Sequence, residues 1–483
     1  MIYLRKIHPT WHFTIWCGGI VAGLWLSVQS WALLFADWSW IIFGGLLLVI
    51  TVYKQWRWLL LLSVIGGMLV GLSRGASQHA ELTVFDVLYG RELTVSGVVA
   101  EDVDTDKTGN TTLRLKNLMV EDYAIDGELW VSLAGAQKSV RRSDNITVNG
   151  TIQEGFGSFG GVIYRAELKS AERPVPGDVA LDVRDRFGDE VREYIKEPSA
   201  SLGMGYLAGQ RRSLPTELDQ SLKIAGLTHV VVASGYNLTI LVRFARRFFA
   251  KYSRFLTVFI SSMLIIAFIG VTGLSPSMTR AGLVAGLALL AWYFGRKFHP
   301  VTLIVFAAAA TGLISPSYVW GNLGWQLSFL SFAGVMILAP LLQAYFFGDK
   351  KPGAIRQVIG ETLSAQLMTA PLILFAFGTL STVALGANVL VLPLVPLAML
   401  LVFLTGLFGF IMPLLAMVIG LPTQWLLDYM VAVATKLSSF EWSQIEIAIS
   451  PAMVAGLYMA IIGVILYFKW RTGYNLRDSN IVE

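Results

Sequence analysis

Apolar runs of bilayer-spanning length recur along this chain, and they decide what it can fold into. A helix needs roughly 20 apolar residues to cross the hydrocarbon core, where only helices and closed barrels satisfy their own backbone. Runs of this kind occupy residues 13–34, 39–53 and 58–73, and after a polar stretch almost everything from 227 to 468. With 14% charged residues and a mean hydropathy of +0.62, the chain is not an ordinary soluble domain. The expected fold class is a polytopic α-helical membrane protein. Two more apolar runs follow the first before any polar stretch, so the first is expected to be a span rather than a cleavable signal peptide. Cys17 is the single cysteine, which leaves no intrachain disulfide.

Basic clusters set the expected topology, because cytoplasmic loops carry an excess of Lys and Arg. They are Arg5 with Lys6, Lys54 with Arg57, residues 243–254, and the stretches at 295–298, 349–356 and 468–471. Placing all of them in the cytoplasm needs three N-terminal spans within residues 1–75 and puts residues 76–175 outside. Residues 228–242 then run inward. Spans near 255–273, 280–295, 301–315, 323–344, 358–378, 383–410, 412–436 and 452–469 complete about twelve. The channel-like core is 226–470, and both termini, with the tail 471–483, are expected in the cytoplasm. The run 383–410 is too long for one simple span and holds Pro393 and Pro396, so it is expected to be broken or re-entrant. The net charge of +5 follows from this loop bias and does not by itself imply a nucleic-acid partner.

The polar stretch alternates apolar and polar residues in "LTVSGVVA", "TTLRLKNLMV", "GELWVSL", "NITVNGTI" and "VIYRAEL", separated by turn-rich segments. Five short strands of this kind suit a small closed barrel such as an OB-fold. Residues 91–170 hold nine basic and twelve acidic residues, a net charge of −3, which is a poor footprint for phosphate apart from a local patch at Lys138, Arg141 and Arg142. "DVRDRFGDEVREYI" then carries apolar residues at helical spacing, and 176–225 are expected to form interfacial helices.

Polar groups inside spans are costly and therefore mark function by default. In "GLTHVVVASGYNLTIL", a continuous helix places Asn237 between His229 and Ser234 on one face, with Gly235 able to break it. Arg280 stands on the outer side, against the positive-inside bias. Gln326 and Ser328 fall in "GNLGWQLSFLSFAG", and Asn388 precedes "VLVLPLVPL". Each has a plainer reading: Ser hydroxyls bond their own helix, Gln326 and Asn388 bridge helices, and Arg280 snorkels. The basic run Arg243, Arg246, Arg247, Lys251 and Arg254 reads first as a topology signal and, with its interleaved aromatics, second as a hold for nucleic acid emerging inside. His229 lies five residues from Ser234, His299 falls in an expected cytoplasmic loop beyond a different span, and His8, His12 and His79 lie outside this core, so Ser–His catalysis is disfavoured. No histidine pair, cysteine cluster or intramembrane carboxylate pair offers a metal site, and no cofactor is expected.

Taken in order, "LAGQRRSLPTELDQSLKIAGLTHVVVASG", "PSMTRAGLVAGLALLAWYFGRKF", "GWQLSFLSFAGVMIL" and "SAQLMTAPLILFAFGTLSTVALGANVLVLPLVPL" resemble the core of the ComEC-type competence family, the inner-membrane DNA-uptake channels. The resemblance spans roughly 200–470. It implies a channel for one DNA strand, with His229, Ser234, Gly235, Arg280, Gln326, Ser328 and Asn388 at motif positions along the path. It also implies an uptake pilus and an extracytoplasmic DNA receptor as partners. The family's S-G-L-H has a histidine where this chain has Asn237 and an apolar residue where it has Tyr236. The H-x-H-x-D-H motif of the nuclease domain found in many members is absent, so this chain is expected to be no enzyme, with a separate nuclease a possible partner. No P-loop is present, so an ATP-driven helicase or translocase is expected in the cytoplasm. The rivals are an intramembrane serine hydrolase at Ser234 and a transporter of another polar solute.

Overall fold

The computed structural model describes residues 6–105, 109–121, 123–137, 139–210, 213–231, 235–273, 275–296, 299–348 and 352–476. Helices α1 (Pro9–Leu26), α2 (Ser39–Lys54) and α3 (Leu60–Leu82) come first. Strands β1 (Glu92–Val99), β2 (Asp104–Thr105), β3 (Thr111–Val120), β4 (Tyr123–Ile125), β5 (Leu129–Leu133), β6 (Asn145–Glu154) and β7 (Gly161–Glu172) follow. Next are α4 (Val179–Tyr194), α5 (Ser199–Ala208), α6 (Thr216–Ile224), α7 (Thr228–Val231), α8 (Gly235–Phe249), α9 (Arg254–Thr272), α10 (Pro276–Tyr293), α11 (Pro300–Ile314) and α12 (Ser317–Gly321). The chain closes with α13 (Leu323–Ala333), α14 (Ala339–Phe347), α15 (Ala354–Phe377), α16 (Ala384–Val391), α17 (Val395–Ile411), α18 (Pro413–Ser438) and α19 (Pro451–Thr472). Among the described residues, seven helical segments are long and apolar enough to cross a membrane, and Ser39–Lys54 and Pro300–Ile314 are shorter apolar helices.

Two compact units are present, Met1–Val179 with Gly273–Pro276 and Val301–Gln326, and the remainder of the chain. In the first, α1 and α3 touch backbone to backbone. A Cβ at Gly19, Gly23, Gly67 or Gly71 would collide with the main chain of the facing helix, Gly67 with the Trp16 carbonyl most severely. Small residues permit this approach, which is how helices associate where the solvent is lipid.

The five strands expected from the sequence are β1, β3, β5, β6 and β7; β2 and β4 are short additions pairing with β3. β1 pairs with β6, β6 with β7, β5 with β3 and β3 with β1, all antiparallel, while β5 and β7 are parallel. The ring therefore closes on itself and leaves no open edge among its five long strands. Leu115, Leu129, Val131, Val148 and Ile163 fill it, and Phe85 packs into the same core. The basic patch expected beside it is largely neutralised: Arg142 is buried and its Nε is 2.7 Å from Asp178, and Arg173 pairs with Asp144 at 3.0 Å. Lys138 lies outside the described residues.

In the second unit two expectations are corrected. Residues 176–225 are not all interfacial, because nine of the ten residues of α5 are buried. Its Gly203 lies so close to Val402 that a Cβ would stand 2.8 Å from the Val402 Cγ2. A helix made of Ser, Gly, Ala and apolar side chains, uncharged on every face, belongs inside. Helix α4 is amphipathic, but protein takes much of its apolar side: Phe187 stacks on Phe403 at 6.2 Å and also meets Phe410. The run 383–410 carries a 3₁₀ turn at Leu392–Leu394 between α16 and α17, inside one helical segment, Ala384–Ile411.

Candidate functional site

Gly226 is left-handed (φ +69), α7 makes a single turn, and α8 begins at Gly235. Residues 232–234, Ser234 among them, lie outside the described residues. The expected stripe of His229, Ser234 and Asn237 thus has its middle member outside the described residues. His229 is exposed. Asn237 is wholly buried, and its amide donates to the Tyr206 carbonyl at 2.9 Å and the Val230 carbonyl at 3.4 Å. Asn237 thus clamps α5, α7 and α8 together, its buried amide satisfied by main-chain carbonyls.

Arg280, in the second turn of α10, is only 8% exposed. Its guanidinium lies over Phe329 at 5.6 Å and Phe332 at 5.3 Å, both from the end of α13. Its Nε has no hydrogen-bond partner among the described residues. Snorkelling to an aqueous edge is therefore not what this side chain does. A cation–π contact is worth about 2 kcal/mol when desolvated, whereas burying an unpaired charge costs several kcal/mol, so the rings alone leave a deficit. Gly235 adjoins it, since a Cβ there would stand 3.4 Å from Nη2.

Asn388 is likewise buried. It is 2% exposed and its amide donates back to the Ala384 carbonyl at 2.9 Å, a bond within its own helix. Gln326, half-buried in the other unit, donates to the Val319 and Trp320 carbonyls at 2.9 and 3.3 Å and so secures the sharp passage from α12 to α13. Ser328 is half-buried. Of the basic cluster, Arg243, Arg246 and Arg247 continue α8 instead of forming a loop, Lys251 follows in a turn, and Arg254 opens α9. Arg243, Arg247, Lys251 and Arg254 are exposed, while Arg246 lies over Trp292 at 4.9 Å.

Sequence reasoning missed two features. The motif "GWQLSFLSFAG" ends in a π-helical turn, Gly334–Leu338, where Gly334 packs against the Ser364 backbone so that a Cβ would stand 2.6 Å from its carbonyl oxygen. Two of the segments read separately in the sequence are thus one contact, and such π turns often mark functional sites. The second is a polar knot in the middle of α18. Asp428 accepts from Ser199 Oγ at 2.5 Å and from Gln424 Nε2 at 2.6 Å, and Gln424 accepts from the Lys196 N–H at 2.7 Å. The four-residue spacing of Gln424 and Asp428 was the available signal. No three His, Cys, Asp or Glu side chains among the described residues come together as a metal site.

Bilayer-length apolar helices, an N-terminal β-barrel and buried polar side chains in the helical unit define a helical membrane protein with an appended β region. The competence protein family matches residues 206–472, more than half of the chain, and the chain belongs to that family. It is 25% identical over 205 residues to an uncharacterized protein of Aquifex aeolicus, covering 41% of this chain and 46% of the relative. It is 24% identical over 217 residues to ComE operon protein 3 of Bacillus subtilis, covering 44% of this chain and 27% of that protein. The matches thus span less than half the length of either relative. No solved structure matches.

Proposed function

We propose that this chain is a conduit passing one strand of DNA inward across the cytoplasmic membrane during natural transformation. The competence family match over 206–472 is the observation that carries this reading. In the fuller form of the proposal the chain crosses the membrane about twelve times with both termini in the cytoplasm. The barrel faces outward; its ring order, with one parallel pair, supports an OB-type assignment. An uptake pilus and a DNA receptor deliver the strand outside, and an ATP-driven helicase or translocase draws it in. The chain itself is no enzyme, and any nuclease is a separate protein.

Deletion followed by separate scoring of DNA outside and inside the cytoplasmic membrane tests the proposal. DNA is expected to be retained outside and lost from the cytoplasm. Normal cytoplasmic DNA in the deletion strain overturns it. Ser234→Ala separates conduit from hydrolase: uptake within about twofold of wild type is expected of a path that loses one hydroxyl, whereas a nucleophile's loss costs orders of magnitude.

A further inference from the structure

We infer that Arg280 forms a phosphodiester-binding site in the helical unit, receiving one backbone phosphate of the passing strand; this rests on the DNA-conduit reading above. The guanidinium is 8% exposed, lies over the rings of Phe329 and Phe332, and keeps its Nε without a partner. On the Nη2 side stands Gly235, where the absence of a side chain leaves space that a Cβ would narrow to 3.4 Å. Among the described residues no carboxylate pairs with Arg280, so an anion would complete the arrangement. Guanidinium presents its N–H donors in a fork matched to phosphate oxygens, and an apolar shell strengthens that contact. One such cation also suits transit, because a path must bind firmly enough to admit and weakly enough to release.

The test uses the full chain in phosphatidylcholine nanodiscs. Fluorescence anisotropy compares a single-stranded phosphodiester oligonucleotide with a methylphosphonate of the same sequence, whose backbone is uncharged. Wild type is expected to prefer the phosphodiester by about tenfold or more, the effect of one charged hydrogen-bonded contact. In R280M the preference disappears, while the unfolding midpoint without DNA stays equal to wild type or rises, because a buried unpaired charge has been removed. R280K, which keeps the charge, retains part of the preference. Full preference in R280M, or its complete loss in R280K, overturns the site, as does a lowered R280M midpoint with preference unchanged, the mark of a purely structural clamp. Phosphatidylglycerol is itself a phosphodiester. If adding it abolishes the wild-type preference and leaves R280M unaffected, the site belongs to lipid and the inference fails. Equal binding of both oligonucleotides by wild type removes the role of Arg280 and leaves the conduit standing, whereas binding of neither removes both.

Discussion

In strand β3, buried Thr111, Leu113 and Leu115 alternate with more accessible Thr112, Arg114 and Lys116, and the sequence itself reports which way each points. In helix α19, Leu457, Met459, Ile462 and Leu466 are as apolar as any core residue, and none of the helix is buried. The difference is one of solvent. Around the barrel water separates inside from outside, so polarity tracks burial. Around a membrane helix the outside is lipid, and an apolar side chain gains little by being buried. Packing in the helical parts depends instead on small residues and on rare polar groups, so the two regions should respond oppositely to the same kind of substitution.

Leu115→Ala should give the largest effect. Leu115 is fully buried in the barrel, and the loss is expected at about 2–5 kcal/mol, read by hydrogen exchange of barrel amides in the full chain. Leu457→Ala on α19 should change stability by less than about 0.5 kcal/mol. Equal losses would erase the contrast. Gly67→Ala comes next. Its added methyl meets the Trp16 carbonyl, and about 1–3 kcal/mol should be lost from the α1–α3 pair, seen as a lower unfolding midpoint. Gly45→Ala, with nothing nearby to meet, is the matched control and should be neutral.

The smallest effect is expected at Glu128 in the barrel. One of its carboxylate oxygens is buried without a partner among the described residues, and burial first, with Glu101 adding, holds its pKa above the usual carboxylate value against the opposing pull of Arg114 and Lys116. A carboxyl whose folded pKa is raised costs stability once pH exceeds its unfolded value. Glu128→Gln should therefore raise the barrel's midpoint near neutral pH, with the gain vanishing as pH falls below the ordinary carboxylate range. A gain independent of pH would assign the effect to packing instead.

How much was legible follows the same division. The five long strands were located from sequence because Val95, Leu113 and Val148 alternate with polar neighbours. Seven of the about twelve expected spans coincide with helical segments that are long and apolar enough among the described residues, and the 3₁₀ turn at Leu392–Leu394 sits where Pro393 suggested a disturbance. At the site, residue types were legible and their roles were not. Asn237 and Asn388 were legible as polar residues in apolar runs, but not as buried amides whose NH2 groups donate to main-chain carbonyls. Which carbonyl an amide finds depends on helices far apart in sequence; Tyr206, for instance, lies 31 residues from Asn237.

By itself the sequence determined the solvent of each region: lipid for the long apolar runs, water for the alternating stretch, and too few charges for any other partition. It also determined family membership through the order of its motifs. Only the tertiary structure decided that α5 is a core helix, that Arg280 lies over two aromatic rings with no counter-charge among the described residues, and that Gly334 meets Ser364. Hydrophobicity is a property of each residue and can be read singly, whereas partnership is a property of pairs and exists only once the helices have packed.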